Sequence, residues 1–172
     1  MRYNELTFQG RNAVLEAFRS GKTIDKLFIL DGCQDGPIKS IVREAKKTDA
    51  IINYVDKERL DRLAGTGHHQ GVVAIGAAYE YAEVEYILAA AKEKGEDPFI
   101  FILDEIEDPH NLGAIIRTAN LAGAHGVIIS KHRAAGLTAT VAKASAGAIN
   151  YTPVAKVTNI AKTIEKLKDQ RL

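Results

Sequence analysis

The sequence predicts an α/β protein built from two units in tandem, and three observations predict it. Short apolar runs alternate with helical spacings along the whole chain, the pattern of sheets covered by helices. The apolar run at 99–103 reads as a buried strand that ends in the carboxylates Asp104, Glu105, Glu107 and Asp108. A capped helix and a second apolar run follow at once, so 104–130 forms one βαβ-like unit whose working edge lies where the strands end.

The elements of the first unit follow from spacing. Within 2–20, Val14, Leu15 and Phe18 fall at helical intervals and Gly21 stops the helix. Residues 26–30 read as a strand, 37–47 as an amphipathic helix through Ile38, Ile41, Val42 and Ala45, and 51–55 as a strand. Asp56 caps a short helix carrying Leu60 and Leu63, and after Gly65 and Gly67 a strand at 71–78 closes an αβαβαβ unit. Residues 79–97 are rich in Tyr, Glu, Ala and Lys and carry no proline, which predicts a helical connector holding the domain boundary.

In the second unit, Asp108 is placed as an N-cap with Pro109 at the first helical position. Leu112, Ile115, Ile116 and Ala119 form the stripe to be buried, and Gly123 and Gly126 bracket the exit into a strand at 127–129. Arg117 lies off that stripe. Gly113, Asn120 and Leu121 flank it one turn away, leaving a bare face where a ligand or second subunit can approach the backbone. Asn111 sits in the first turn, whose free N–H groups favour an anion. Lys131, His132 and Arg133 follow a buried strand, as a phosphate-binding edge or as a solvated basic loop. The small residues of 138–148 suit an interface or a tight helix, and Ser145 has no base partner nearby. Thr158 caps a last helix through Ile160, Ile164 and Leu167.

Composition sets the bounds. With 172 residues, 46% hydrophobic and 26% charged, the chain can bury a core as one domain or two small ones. A formal net charge of +1 excludes a generally basic coat, so contacts with nucleic acid must come from local patches. A single cysteine, Cys33, excludes an internal disulfide and a thiolate zinc cluster and fits a reducing compartment. Adjacent His68 and His69 have no third ligand at metal spacing, so no metal is expected. With no apolar leader and no run of ~18 apolar residues, the expectation is a cytoplasmic chain without membrane contact. The candidate contacts of the first unit are Arg11, Asn12, His69 and Gln70, either as a polar loop or as a surface reading phosphates and unpaired bases.

The stretch DPHNLGAIIRTANLAGAHGVII, residues 108–129, resembles the first signature motif of the SpoU (TrmH-like) branch of the SPOUT RNA 2′-O-ribose methyltransferases. GLTATVAKASAGAINYTPVAKVTNI after it, and GRNAVLEAF and HHQGVVA before it, are similar to the ribosomal-RNA guanosine 2′-O-methyltransferases of the RlmB type. The resemblance implies an L30e-like RNA substrate-binding domain at 1–78, a helical linker at 79–97 and a partial SpoU methyltransferase domain of the α/β-knot class at 98–172. It also implies S-adenosylmethionine as cofactor, ribosomal RNA as partner and a homodimer through the methyltransferase domain. It assigns Arg117 and Asn111 to catalysis and favours RNA binding by Arg11, His69 and Gln70, with Asn12, Lys131 and Arg133 as further candidates for RNA contact. A guanidinium with a pKa above ~12 is a poor base, so Arg117 suits phosphate binding and stabilisation of a developing alkoxide.

The family's second and third motifs, a Gly-Ser-Glu-Gly-like turn and a Ser-Leu-Asn-like segment, do not occur before Leu172. That implies a truncated, inactive methyltransferase with an incomplete knot and no cofactor pocket. An RNA-binding module without catalysis is the alternative. A nucleotide-binding α/β protein is a weaker one, because neither a phosphate loop nor a GxGxxG pattern is present.

Overall fold

The computed structural model describes residues 6–48, 50–65 and 68–169, so the expectations resting on Arg2, Gly67 and Leu172 lie outside the described residues. The chain divides into two compact units between Ala78 and Tyr79.

The first unit runs β1 (Leu6–Gln9), α1 (Arg11–Arg19), β2 (Ile24–Leu30), α2 (Gly36–Ala45), β3 (Ile51–Val55), α3 (Lys57–Ala64) and β4 (Val72–Gly76). Its sheet has the order β1-β4-β2-β3, with β4 antiparallel to both neighbours and β2 parallel to β3. Alternation along the strands sorts the core into two layers. Leu27, Ile29, Val72 and Ala74 point to α1 and α2, where Val14, Phe18, Ile38 and Ile41 meet them. Phe28 and Val73 point the other way, to Leu60 and Ala64 of α3. Asp35 and Asp56 start α2 and α3 by accepting the N–H groups of Ile38 and Arg59, and Gly65 ends α3 in the left-handed region at φ 69°. β1 was not foreseen. None of its four residues is fully buried, so it exists by pairing with β4 and not by a pattern of its own.

The second unit runs α4 (Val84–Lys94), β5 (Ile100–Leu103), α5 (Pro109–Leu121), β6 (Gly126–Ser130), α6 (Ala139–Ala144), a 3-10 turn (Ala148–Asn150), β7 (Val154–Val157) and α7 (Ile160–Asp169). Its three strands are parallel in the order β5-β6-β7. Leu112, Ile116 and Val141 cover Val127 and Ile129 on one face, and Ile87 and Leu167 cover Ile128 and Ala155 on the other. With both faces covered, all five residues of β6 are buried, which is why that strand reads as a continuous apolar run.

Four expectations are corrected here. Residues 79–97 do not form a free connector: Ile87 and Ala91 of α4 are fully buried, and a Cβ on Gly126 would lie 2.6 Å from Ile87 Cδ1. A helix this tightly seated on the start of β6 is a layer of the second unit. Buried His125 fixes its end, accepting the Phe99 N–H at Nδ1 (3.1 Å) and donating from Nε2 to Glu96 (2.9 Å). The stripe of α5 is Leu112, Gly113, Ile116 and Ala119, with Ile115 only half-buried. The face beside Gly113 is not bare, because α6 occupies it: a Cβ at 113 would lie 2.4 Å from Ala144 Cβ and 2.7 Å from the Val141 carbonyl oxygen. The last helix is capped by Asn159, whose side chain accepts the Lys162 N–H at 2.9 Å, and not by Thr158. Among the described residues no helix is long and apolar enough to cross a membrane.

Gly113→Ala tests this packing. Alanine gains up to ~1 kcal/mol in helix propensity over glycine, but the new methyl is driven into α6, and overpacking of that kind costs ~1–3 kcal/mol. The net expectation is a loss of stability, read as a lower denaturant midpoint at unchanged slope; a rise would mean that α6 yields freely.

Candidate functional site

The residues singled out from the sequence gather at three places. The first is α5. Asp108 accepts the N–H groups of His110 (2.7 Å) and Asn111 (3.3 Å), Pro109 has no N–H to offer, and the Leu112 N–H is bonded to the Asp108 carbonyl. The first turn therefore has no donor left for an anion, which corrects the expectation of an anion site at Asn111. Asn111 and Arg117 are both exposed. Six positions separate them, about 9 Å along the axis and about 120° around it, so they do not share a face.

The second place is the C-terminal edge of the parallel sheet. Asp104, Glu105, Ser130, His132, Arg133, Thr158 and Asn159 line a cavity of about 420 Å³ with Ile160 and Ala161. The loops after β5 and β6 are braced by the Ala135 N–H on the Ile106 carbonyl (2.7 Å). Leu137 N–H donates to the phenol oxygen of Tyr81 at 3.1 Å, and Lys156 lies 4.1 Å over the same ring. Arg133 Nη1 donates to Glu105, and both residues sit in the left-handed region, at φ 52° and 50°. Glu105 holds the charge on Arg133 more firmly, raising its pKa, with Glu107 and Asp104 adding to the effect. Lys131 sits on the same loop, half-buried, its N–H bonded to the Val157 carbonyl.

The third place lies wholly within the first unit. The Arg11 N–H donates to the side-chain oxygen of Gln70 (3.1 Å), Arg11 Nε donates to the Gln70 carbonyl (3.2 Å), and Nη2 donates to Asp35. One arginine thereby ties the starts of α1 and α2 to the loop before β4. His69 is 6% exposed. It accepts the Gly71 N–H at Nδ1 (3.0 Å), which leaves the proton on Nε2 to be donated to Asp61 (2.8 Å). Of the four residues proposed to read RNA in this unit, Asn12 and Gln70 are exposed, Arg11 is half-buried and His69 is buried; Arg11 is tied to Gln70 and Asp35, and His69 to Gly71 and Asp61. Asp35, Glu105 and Tyr81 were not given these roles from the sequence. Asp35 carries a legible signal, since Asp-Gly-Pro is a cap followed by an early-turn proline; the backbone angles that pair Glu105 with Arg133 leave none.

Two outcomes follow. Asp35→Ala removes the cap of α2 together with the Arg11 partner, and loss of such a cap typically costs ~1 kcal/mol and up to ~2, to be read from chemical denaturation. Asp61 has its carboxyl held below the ordinary value of 3.8, first by the hydrogen bond from Lys57 and then by that from His69. A depressed carboxylate contributes stability that is present above the unfolded value and lost as pH falls through the folded one. Asp61→Asn is therefore expected to be less stable than the parent near pH 6 and to lose less on acidification below 3.8. Parallel acid limbs in the two proteins would remove Asp61 from the account.

Comparison with known proteins finds two family models along the chain. The family described as RNA 2′-O ribose methyltransferase substrate binding matches residues 9–82, and the SpoU rRNA methylase family matches 98–172. A Bacillus subtilis protein named as the putative TrmH family tRNA/rRNA methyltransferase YacO is 52% identical over 161 residues, covering 94% of this chain and 64% of that protein. A putative TrmH family tRNA/rRNA methyltransferase of Staphylococcus haemolyticus is 48% identical over 165 residues, covering 96% of this chain and 66% of that protein. The chain thus spans slightly under two thirds of the length of these relatives. The crystal structure of the SpoU methyltransferase AviRb from Streptomyces viridochromogenes with AdoMet aligns at a TM-score of 0.46 and 19% identity, over 97% of this chain and 60% of that one, too weakly to inform the site. With each of its two units matched by a model of the same enzyme group, and with relatives at about half identity, the chain belongs to the SpoU (TrmH-like) family of RNA methyltransferases.

Proposed function

We propose that this chain carries the RNA-binding unit and the first motif of an enzyme that methylates a guanosine ribose 2′-hydroxyl of ribosomal RNA in the cytoplasm, working as a homodimer. The observation that carries the reading is the exposure of α5. This helix presents Asn111 and Arg117 to solvent while Leu112, Ile116 and Ala119 on its other side are fully buried, so the two polar residues are spared from packing. In this reading Arg117 binds the phosphate beside the reacting ribose and stabilises its developing alkoxide, roles that suit a planar, permanently charged fork. Asn111, in the first turn of the helix, holds the RNA at a neighbouring nucleotide. Asn12 and Gln70, both exposed, meet RNA directly, whereas Arg11 and His69 shape the loop beside them. Lys131 and Arg133 offer charge to phosphates at the sheet edge.

S-adenosylmethionine would supply the methyl group. The cavity at the sheet edge has ligand size, and Asp104 and Glu105 suit the cationic sulfonium and amino groups of that cofactor. Its apolar lining among the described residues is confined to Ile160 and Ala161, which is little wall for an adenine ring. The charge fits and the ring wall does not, so this lining alone does not make a pocket for the cofactor. Leu121 and Tyr151, 82% and 81% exposed in the second unit, support association with a second copy. A second reading, RNA binding without catalysis, is favoured by the first unit, whose two-layered core closes within residues 6–78.

The test is the purified chain with ribosomal-RNA fragments and isotopically labelled S-adenosylmethionine. RNA binding that weakens as salt rises is expected, because phosphate contacts release counterions. In a version of the chain that also carries the family's second and third motifs, Arg117→Ala should lower methyl transfer by ~10²-fold or more while changing stability by no more than ~0.5 kcal/mol, as for an exposed site. Arg117→Lys should restore little, since lysine lacks the planar fork. Binding with no transfer even by the version that carries the further motifs leaves the second reading, and no binding at all removes both.

A further inference from the structure

The Glu105–Arg133 pair is made in an unusual way. Glu105 and Arg133 are two of the four non-glycine residues with positive φ among those described, and they meet across the mouth of the sheet-edge cavity. Left-handed backbone is disfavoured for residues bearing a Cβ. An exposed ion pair offsets little of such a cost, and these side chains are 55% and 71% exposed. The loops themselves are held by the bond between Ala135 and Ile106, so the pair is not what braces them. Strained residues that the fold does not need for bracing point to a role in binding.

The charges say which role. Arg133 faces Asp104 and Glu107 besides Glu105, and the fixed cations of its own loop are Lys131 and Arg133 itself. Glu105 is thus bonded to the Arg133 guanidinium, Asp104 lines the same cavity, and Glu107 adds its charge to theirs. A phosphate approaching Arg133 meets an acidic surround and a donor already given to a carboxylate. We propose that Glu105 competes with RNA phosphate for Arg133 and is a specificity-determining residue of this edge. A flexible polyanion held by this contact alone does not displace Glu105. An RNA anchored elsewhere on the protein does, because its phosphate is presented at high local concentration. The inference rests on the reading of the chain as an RNA-binding protein.

The experiment compares the parent chain with Glu105→Gln, Arg133→Ala and the double variant, each binding polyuridylate and ribosomal-RNA fragments over a range of salt. Glutamine removes the charge and leaves the backbone preference unchanged, and thermal melts check that each variant is folded. Glu105→Gln is expected to bind polyuridylate several-fold more tightly, with the slope of log affinity against log salt steeper by about 0.7, one more single-strand phosphate contact. The double variant should bind like Arg133→Ala. Unchanged or weaker binding by Glu105→Gln would overturn the proposal, as would a gain that survives in the double variant. A parent chain that ignores ribosomal RNA while Glu105→Gln still gains on polyuridylate through Arg133 would defeat the RNA reading and leave the competition standing.

Discussion

The second unit depends on the contact between α5 and α6 at Gly113. The Val141 carbonyl and Ala144 Cβ approach so closely that only a position without a Cβ lets the two helices meet. That approach lets Leu112 and Ile116 reach full burial on the sheet, each contributing ~1.5–3 kcal/mol of transfer free energy. It also places Thr138, which caps α6 by accepting the Val141 N–H, and so anchors the far end of the 131–138 loop. The near end is anchored on β7 through the Lys131 N–H, and the middle on Ile106 and Tyr81. Arg133 stands where it does because a glycine twenty positions earlier allowed α6 to sit where it does.

One buried histidine in each unit is satisfied by the same arrangement. His69 and His125 each stand at the approach to a strand, accept a backbone N–H at Nδ1 and donate from Nε2 to a carboxylate. The bond at Nδ1 fixes the neutral tautomer, and the carboxylate satisfies the remaining proton. The same economy closes the first turn of α5, where Asp108 and Pro109 leave no donor unpaired. The start of α5 and the entrances to β4 and β6 are thereby saturated, and the polar side chains left to solvent in the second unit stand on the exposed face of α5 and on the loops after β5 and β6.

Much of this was legible in the sequence because the signals are local. Asp56, Asp108 and Pro109 announce their helices through the chemistry of the first turn, and β6 announces its two covered faces through an unbroken apolar run. What escaped depends on distant partners. β1 has no pattern apart from β4, and α4 looks like a connector because its buried face is narrow, two residues in eleven. Gly113 reads as an opening until α6 is placed on it. His69 reads as a loop histidine, since neither Asp61 nor the Gly71 N–H is implied by neighbouring residues. The motif residues were easy to name by resemblance, yet their surroundings, a filled first turn and an acid-ringed Arg133, emerge only from the folded chain.

Those surroundings constrain how Asn111 and Arg117 can act. Two side chains set about 9 Å apart along one helix and about 120° apart around it do not converge on one small group. Nor can the helix terminus help either of them, since its N–H groups are committed to Asp108. Whatever Asn111 and Arg117 bind must therefore be extended, with one polar group near the helix start and another two turns on. A nucleotide chain meets that requirement, because its sugars and phosphates recur at intervals of several ångströms, and a compact substrate does not. A single ligand that meets both exposed residues of α5 is thus a polymer that winds part-way round the helix, and not a small molecule seated at its end.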